Sequence, residues 1–153
     1  MIEIPSKEEV LAAHQRIKSL VHHTPVLSSR LINDIVGAQV VFKCENFQKM
    51  GAFKMRGATN AILQLSSAQK DNGVVTHSSG NFAQALALAA YNLGVKSFIV
   101  MPTTAPQVKK DAVVGYGGEI IECQPTLKAR EHAAKIVGQR HQATFIHPSN
   151  DMN

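Results

Sequence analysis

Apolar and polar positions alternate along this chain in two rhythms. Short, largely apolar runs rich in β-branched residues fall at Val74–His77, Ser97–Met101, Glu119–Cys123 and Ala143–His147, and each predicts a strand. Between them lie longer stretches with helical spacing: 82–93, closed by Gly94; one that Pro106 starts and that ends in Gly115-Tyr116-Gly117-Gly118; and about 126–139. Such strand–helix alternation predicts an α/β fold, a parallel sheet flanked by helices. The strands are apolar on both faces, as buried parallel strands are. Helix 82–93 is apolar nearly all round, so it is expected to be deeply packed. Ligands in such sheets gather at the carboxyl ends of strands, which directs attention to the loops Ser78–Asn81 and Met101–Ala105.

The first third is less regular. Ser6 and Glu9 form a capping box ahead of a helix carrying Val10, Leu11, Ala13, His14, Ile17 and Leu20. Thr24-Pro25 ends that segment, and Pro25-Val26-Leu27 reads as extended. Gln39–Cys44 predicts a strand. The loop Glu45–Ala52 leads to a helix from Lys54 to Lys70, stopped by Asp71-Asn72-Gly73.

Composition narrows the class. At 153 residues and 44% hydrophobic, the chain suits one modest domain or two half-domains and is too apolar for a disordered protein. No stretch approaches the ~20 apolar residues of a membrane span, and the start MIEIPSKEEV resembles neither a secretory signal nor a transit peptide. Cys44 and Cys123 form no CxxC pair, which suits a reducing compartment and a cytoplasmic location. The net charge of +5 comes from scattered basic residues whose longest run is Lys109-Lys110. This reads as a solvated surface rather than a nucleic-acid footprint. The seven histidines lack metal-ligand spacing. No GxGxxG opens a helix after a strand, and neither a phosphate loop nor a GxSxG elbow is present.

Two segments carry candidate chemistry. In Lys49-Met50-Gly51-Ala52-Phe53-Lys54-Met55-Arg56-Gly57 a lysine sits at a helix entry, where the helix dipole disfavours a cation. A partly desolvated amine there can attack a carbonyl. In Thr76-His77-Ser78-Ser79-Gly80-Asn81-Phe82-Ala83-Gln84-Ala85 a strand ends in two hydroxyls, a glycine turn and a helix start, an arrangement able to receive a carboxylate or phosphate. Taken alone, the first segment reads as a surface lysine and the second as an ordinary helix cap on Ser79 or Asn81.

Together the two segments resemble the lysine motif and asparagine loop of the fold-type II pyridoxal-phosphate (PLP) enzymes, nearest to the serine racemase and serine/threonine dehydratase family. The resemblance runs from about Val10 to Pro148, through His23-Thr24-Pro25-Val26-Leu27, Phe42-Lys43-Cys44-Glu45-Asn46-Phe47-Gln48-Lys49, Met101-Pro102 and Gly115-Tyr116-Gly117-Gly118. It implies that Lys54 bonds covalently to PLP and acts as the general base, with Phe53 beside the ring and Asn81 on its phenolic oxygen. Ser78, Ser79, Gly80, Asn81 and Phe82 would hold the substrate carboxylate, and Ser79 would serve the face opposite the lysine. Racemisation of serine or its elimination to pyruvate and ammonia would follow, with threonine as the alternative substrate. Phe82 stands where many relatives carry His. ATP and Mg2+ occur in the family. Gln84 and Tyr116 match its ATP positions, whereas Leu11 and Ser149 do not.

Relatives of this kind are roughly twice as long. The resemblance therefore implies an N-terminal segment of the large PLP domain at 1–72, a small α/β domain of the tryptophan synthase β-like fold at 73–150, and a tail at 151–153. The phosphate-binding glycine loop, the group facing the pyridine nitrogen and the cation site of the family have no counterpart in these residues. Weak cofactor affinity and little activity of the chain alone are expected, as is exposed apolar surface on helix 55–69 and strand 40–44. The alternative is a non-catalytic short form that associates with itself or with a full-length relative.

Overall fold

The computed structural model describes residues 4–149; the last residue of the expected small domain and the tail 151–153 lie outside the described residues. Helix α1 (Lys7–Ile17) begins at the predicted capping box, with Ser6 Oγ accepting from Glu9 N–H and Glu9 receiving the Ser6 N–H. Strands β1 (Val26–Ser28) and β2 (Val41–Lys43) pair as an antiparallel ribbon around helix α2 (Arg30–Val36) in sequence. The sequence reading contains neither this helix nor this pairing. α2 is set by its ends, with the Ser29 hydroxyl accepting from Ile32 N–H and Gly37 closing it at φ 67°.

Two 3-10 turns, Glu45–Phe47 and Lys49–Gly51, lead into α3 (Lys54–Leu63). The helix expected to run on to Lys70 is broken. A second capping box, Ser66 with Gln69, starts a separate helix α4 (Ser67–Asn72). Its hydrogen bonds satisfy two backbone donors more cheaply than a helix continued through Ser66 could.

Beyond Gly73 the α/β alternation appears as predicted. Strands β3 (Val74–His77), β4 (Ser97–Pro102), β5 (Glu119–Cys123) and β6 (Thr144–Phe145) form one parallel sheet in the order β5-β4-β3-β6. Helices α5 (Asn81–Asn92), α6 (Gln107–Gly115) and α7 (Leu127–His141) connect them. Side-chain alternation divides the strands between two apolar layers. Val74, Ile99 and Met101 join α3, α5 and α6 in one cluster. Val75, Phe98 and Val100 meet Ala134 and Val137 of α7 in the other.

The exposure expected for residues 55–69 is overturned. Met55, Ala58, Ala61 and Ile62 are buried, because α3 packs along the apolar flank of α5. The exposure expected around β2 is found. Val41 and Phe42 are exposed, as are Val26, Leu27, Leu31, Ile35 and Val36 of the neighbouring β1 and α2. Among the described residues no helix is long and apolar enough to cross a membrane.

Candidate active site

α3 and α5 start near the same end of the molecule, and their first turns carry the two motifs. Lys54 is the first residue of α3, directly after Phe53. Its amine donates to the Pro148 carbonyl at 2.8 Å and lies 5.4 Å from the Phe53 ring centroid and 5.6 Å from that of Phe82. A cavity of about 260 Å3 is lined by Phe53, Lys54, Arg56, Phe82 and Pro148, among others. Phe82, flagged as a departure at the sequence level, is buried and forms an apolar wall beside the amine.

Ser78, Ser79 and Gly80 line a second cavity, of about 460 Å3, with Arg130, Glu131 and His147. The segment 147–149 borders both cavities, the one with the lysine and the one with the hydroxyl turn. The N-cap of α5 is Gly80, not Ser79 or Asn81, and no side chain caps the helix. The Ser78 hydroxyl instead accepts the Gly80 N–H at 3.3 Å, tightening the turn. The first N–H groups of α5 are therefore left to an external acceptor.

Asn81 borders neither cavity. Its side-chain oxygen accepts from Lys109 at 3.1 Å, which leaves its amide N–H groups for another partner. Gln84 is buried, and its amide nitrogen has no hydrogen-bond partner among the described residues. Tyr116 caps α6 and packs against the main core.

The sequence reading missed Arg130 and treated it as surface charge. It stands near the start of α7, in the hydroxyl-turn cavity, and its buried Nε has no partner among the described residues. The only sequence signal was a basic residue in the helix after β5, which is too common to single out. His77, next to the turn, is buried and stacks near Phe145 at 5.5 Å. Burial holds its imidazole below the usual histidine range and so favours the neutral ring.

Behind Lys54, Arg56 forms a two-pronged ion pair with Glu45, at 2.8 and 2.7 Å, and the Thr24 hydroxyl donates to the same carboxylate at 2.6 Å. These contacts, led by Arg56, lower Glu45 from the ordinary 4.5 to about 2. A folded-state value below the unfolded one gives stability that is complete above pH 4.5 and is lost as pH falls toward 2. Glu45→Gln is expected to flatten the loss of stability between pH 5 and 3, as read by urea unfolding at each pH. An unchanged slope would show that the carboxylate contributes nothing to acid sensitivity.

An amine near two aromatic rings, a hydroxyl-lined turn and a helix N-terminus with no side-chain cap are groups chemically suited to a carbonyl reagent and a carboxylate. The chain belongs to the family described as pyridoxal-phosphate dependent enzymes, whose sequence model matches residues 17–153. Over 148 residues it is 51% identical to a beta-hydroxyaspartate dehydratase of Paracoccus denitrificans, covering 97% of this chain and 47% of that protein. Over 139 residues it is 51% identical to a serine racemase of Arabidopsis thaliana, covering 91% and 42%. The solved structure of maize serine racemase superposes with a TM-score of 0.90 at 48% identity, over 93% of this chain and 43% of that one. The chain thus spans a little under half the length of these relatives. The family implies PLP, and the Lys54 amine near two aromatic rings fits the aldehyde-bearing part of that group.

Proposed function

We propose that this chain carries the lysine-and-serine part of a PLP-dependent site that racemises a small 3-hydroxy amino acid or eliminates ammonia from it, with serine as first substrate and threonine as the alternative. The observation that carries the reading is the Lys54 amine, held in an aromatic-walled cavity beside the segment that also borders the Ser78–Gly80 turn. When bound, PLP supplies an electron sink for the pair left at the substrate α-carbon. Lys54 Nζ takes the α-proton as general base. Ser79 Oγ is the second proton carrier, serving the opposite face. Return of a proton from Ser79 inverts the centre, whereas departure of the β-hydroxyl leads to the 2-oxo acid and ammonia. The free N–H groups of α5 and the turn hold the substrate carboxylate, and Arg130 adds a cation to the same cavity. Phe82, buried beside the amine, gives the cavity an apolar wall, with Phe53 at its open side; by the resemblance Asn81, which borders neither cavity, would offer its amide to the ring oxygen. Arg130 aside, these roles follow the family resemblance, and the placement of Lys54 supports them.

Borohydride trapping tests this. Incubated with PLP and reduced, the purified 153-residue chain is expected to carry a pyridoxyl group on the Lys54 peptide well above the level on exposed lysines such as Lys7, and Lys54→Ala is expected to lose that excess entirely. Labelling of Lys54 no higher than that of Lys7 would overturn the proposal. The exposed apolar residues of β1, α2 and β2 favour a second reading, in which the chain acts by associating with a longer relative. Absent trapping together with co-elution of a longer relative would favour that reading.

A further inference from the structure

Segment 147–149, which borders both cavities of the candidate site, is held by a side chain of its own. The chain reaches it from β6, where Ile146 is buried and donates its N–H to the Val75 carbonyl at 2.9 Å. The next residue sets the direction. The Ser149 N–H donates to His147 Nδ1 at 3.0 Å, which closes a tight turn around Pro148. It is the histidine counterpart of the turns that asparagine and aspartate make with the N–H two residues on. Only a ring nitrogen without a proton accepts an N–H, so the turn fixes the Nε2–H tautomer. The imidazole is itself placed by rings. It stands edge-on to His77, at 6.0 Å and 82°, and to Phe145, at 6.0 Å and 79°. Pro148 has no N–H with which to hold the turn. Its carbonyl receives the Lys54 amine at 2.8 Å.

We propose that His147 is the positioning residue of the Lys54 amine: by accepting the Ser149 N–H it holds the turn that presents the Pro148 carbonyl, and that carbonyl anchors the amine in its cavity. The chemical meaning of this anchor rests on the reading of Lys54 as the reactive amine; its geometry rests on the two hydrogen bonds alone. A lysine has a flexible four-carbon stem, so an amine without a partner spreads over many rotamers. A bond to a fixed carbonyl selects the rotamers that keep it inside the cavity, the orientation that attack on a carbonyl reagent needs.

Two variants separate the hydrogen bond from the ring. His147→Asn keeps an acceptor for the N–H two residues on and removes the ring. His147→Phe keeps a ring against His77 and Phe145 and removes the acceptor. Three quantities are read in the purified full chain, with circular dichroism melts confirming that each variant is folded. They are hydrogen exchange of the Ser149 N–H, NMR relaxation of the Lys54 side-chain nitrogen, and pyridoxyl trapping on Lys54 relative to Lys7, an exposed lysine on the remote helix α1. His147→Phe is expected to speed the exchange about fivefold, to loosen the Lys54 nitrogen to the level of Lys7, and to cut the trapping excess about fivefold. His147→Asn is expected to keep exchange and trapping within about twofold of the parent and the Lys54 nitrogen as ordered. The reverse pattern, with order kept by Phe and lost by Asn, would make ring packing the cause and overturn the proposal. A Lys54 nitrogen as mobile in the parent as that of Lys7, or unmoved by either variant, would do the same. Should His147→Phe fail to fold, His147→Leu takes its place: loss in Leu with retention in Asn supports the anchor, and equal behaviour of the two overturns it. If exchange and relaxation follow expectation but the parent shows no trapping excess, the cofactor reading fails and the anchor stands. A trapping excess that neither variant alters removes the anchor alone.

Discussion

Replacing Ile62 with alanine is expected to lower the unfolding free energy by about 3 kcal/mol, as read by urea denaturation followed by circular dichroism. Ile62 is fully buried on α3, in the cluster that also contains Ala83, Leu86 and Ala90 of α5. Truncation leaves a cavity in a seam between two helices, and the small alanines of α5 cannot collapse into it. The seam also has a functional meaning. Lys54 opens α3 and the hydroxyl turn opens α5, so the packing of the two helices sets the distance between amine and turn. The variant is therefore also expected to trap less PLP at Lys54. A loss below about 1 kcal/mol would mean that the seam is loosely packed and does not position the two motifs.

A loss of comparable size, about 3 kcal/mol, is expected for Gly73→Ala. Gly73 adopts φ 90°, and a β-carbon there would stand 2.9 Å from the Lys96 carbonyl oxygen and 3.2 Å from Lys96 Cβ. The substitution combines left-handed strain with a clash against backbone that cannot move without disturbing β4. The Gly73 carbonyl also accepts from Thr144 N–H, so a shift there loosens β6 and the segment leading to Pro148. Gly57→Ala in α3 is the control, since nothing lies within 4 Å of its added β-carbon. That change is expected to stabilise the chain by about 0.5–1 kcal/mol. If the two variants melt alike, the close approach of Gly73 to Lys96 is not tight in solution.

The elements that were legible in the sequence are those whose signals are local. Val74–His77 and Ser97–Met101 announce buried strands by composition, because both their faces are covered and most positions are therefore apolar. Ser6 with Glu9 and Thr126 act as caps where they stand. The break at Ser66 was equally local, and its Ser-x-x-Gln box was passed over because the apolar spacing continues through Leu65. α2 left a weaker trace. Its apolar residues Leu31, Ile35 and Val36 are exposed and form no stripe toward the core.

The site divides in the same way. Lys54, Ser78, Ser79 and Gly80, each of which lines a cavity, could be named as candidates from the sequence because each lies in a contiguous motif whose chemistry depends on its immediate neighbours. The motif order, the strand–helix alternation and family membership were likewise determined by the sequence alone. Only the tertiary structure decided that α3 is buried against α5, that Arg130 enters the hydroxyl-turn cavity, that Pro148 receives the Lys54 amine, and that Glu45 cancels Arg56. Those contacts join residues 11 to 94 positions apart, or distant strands and helices. Their energy depends on distance and burial, two quantities that periodicity along a chain does not encode.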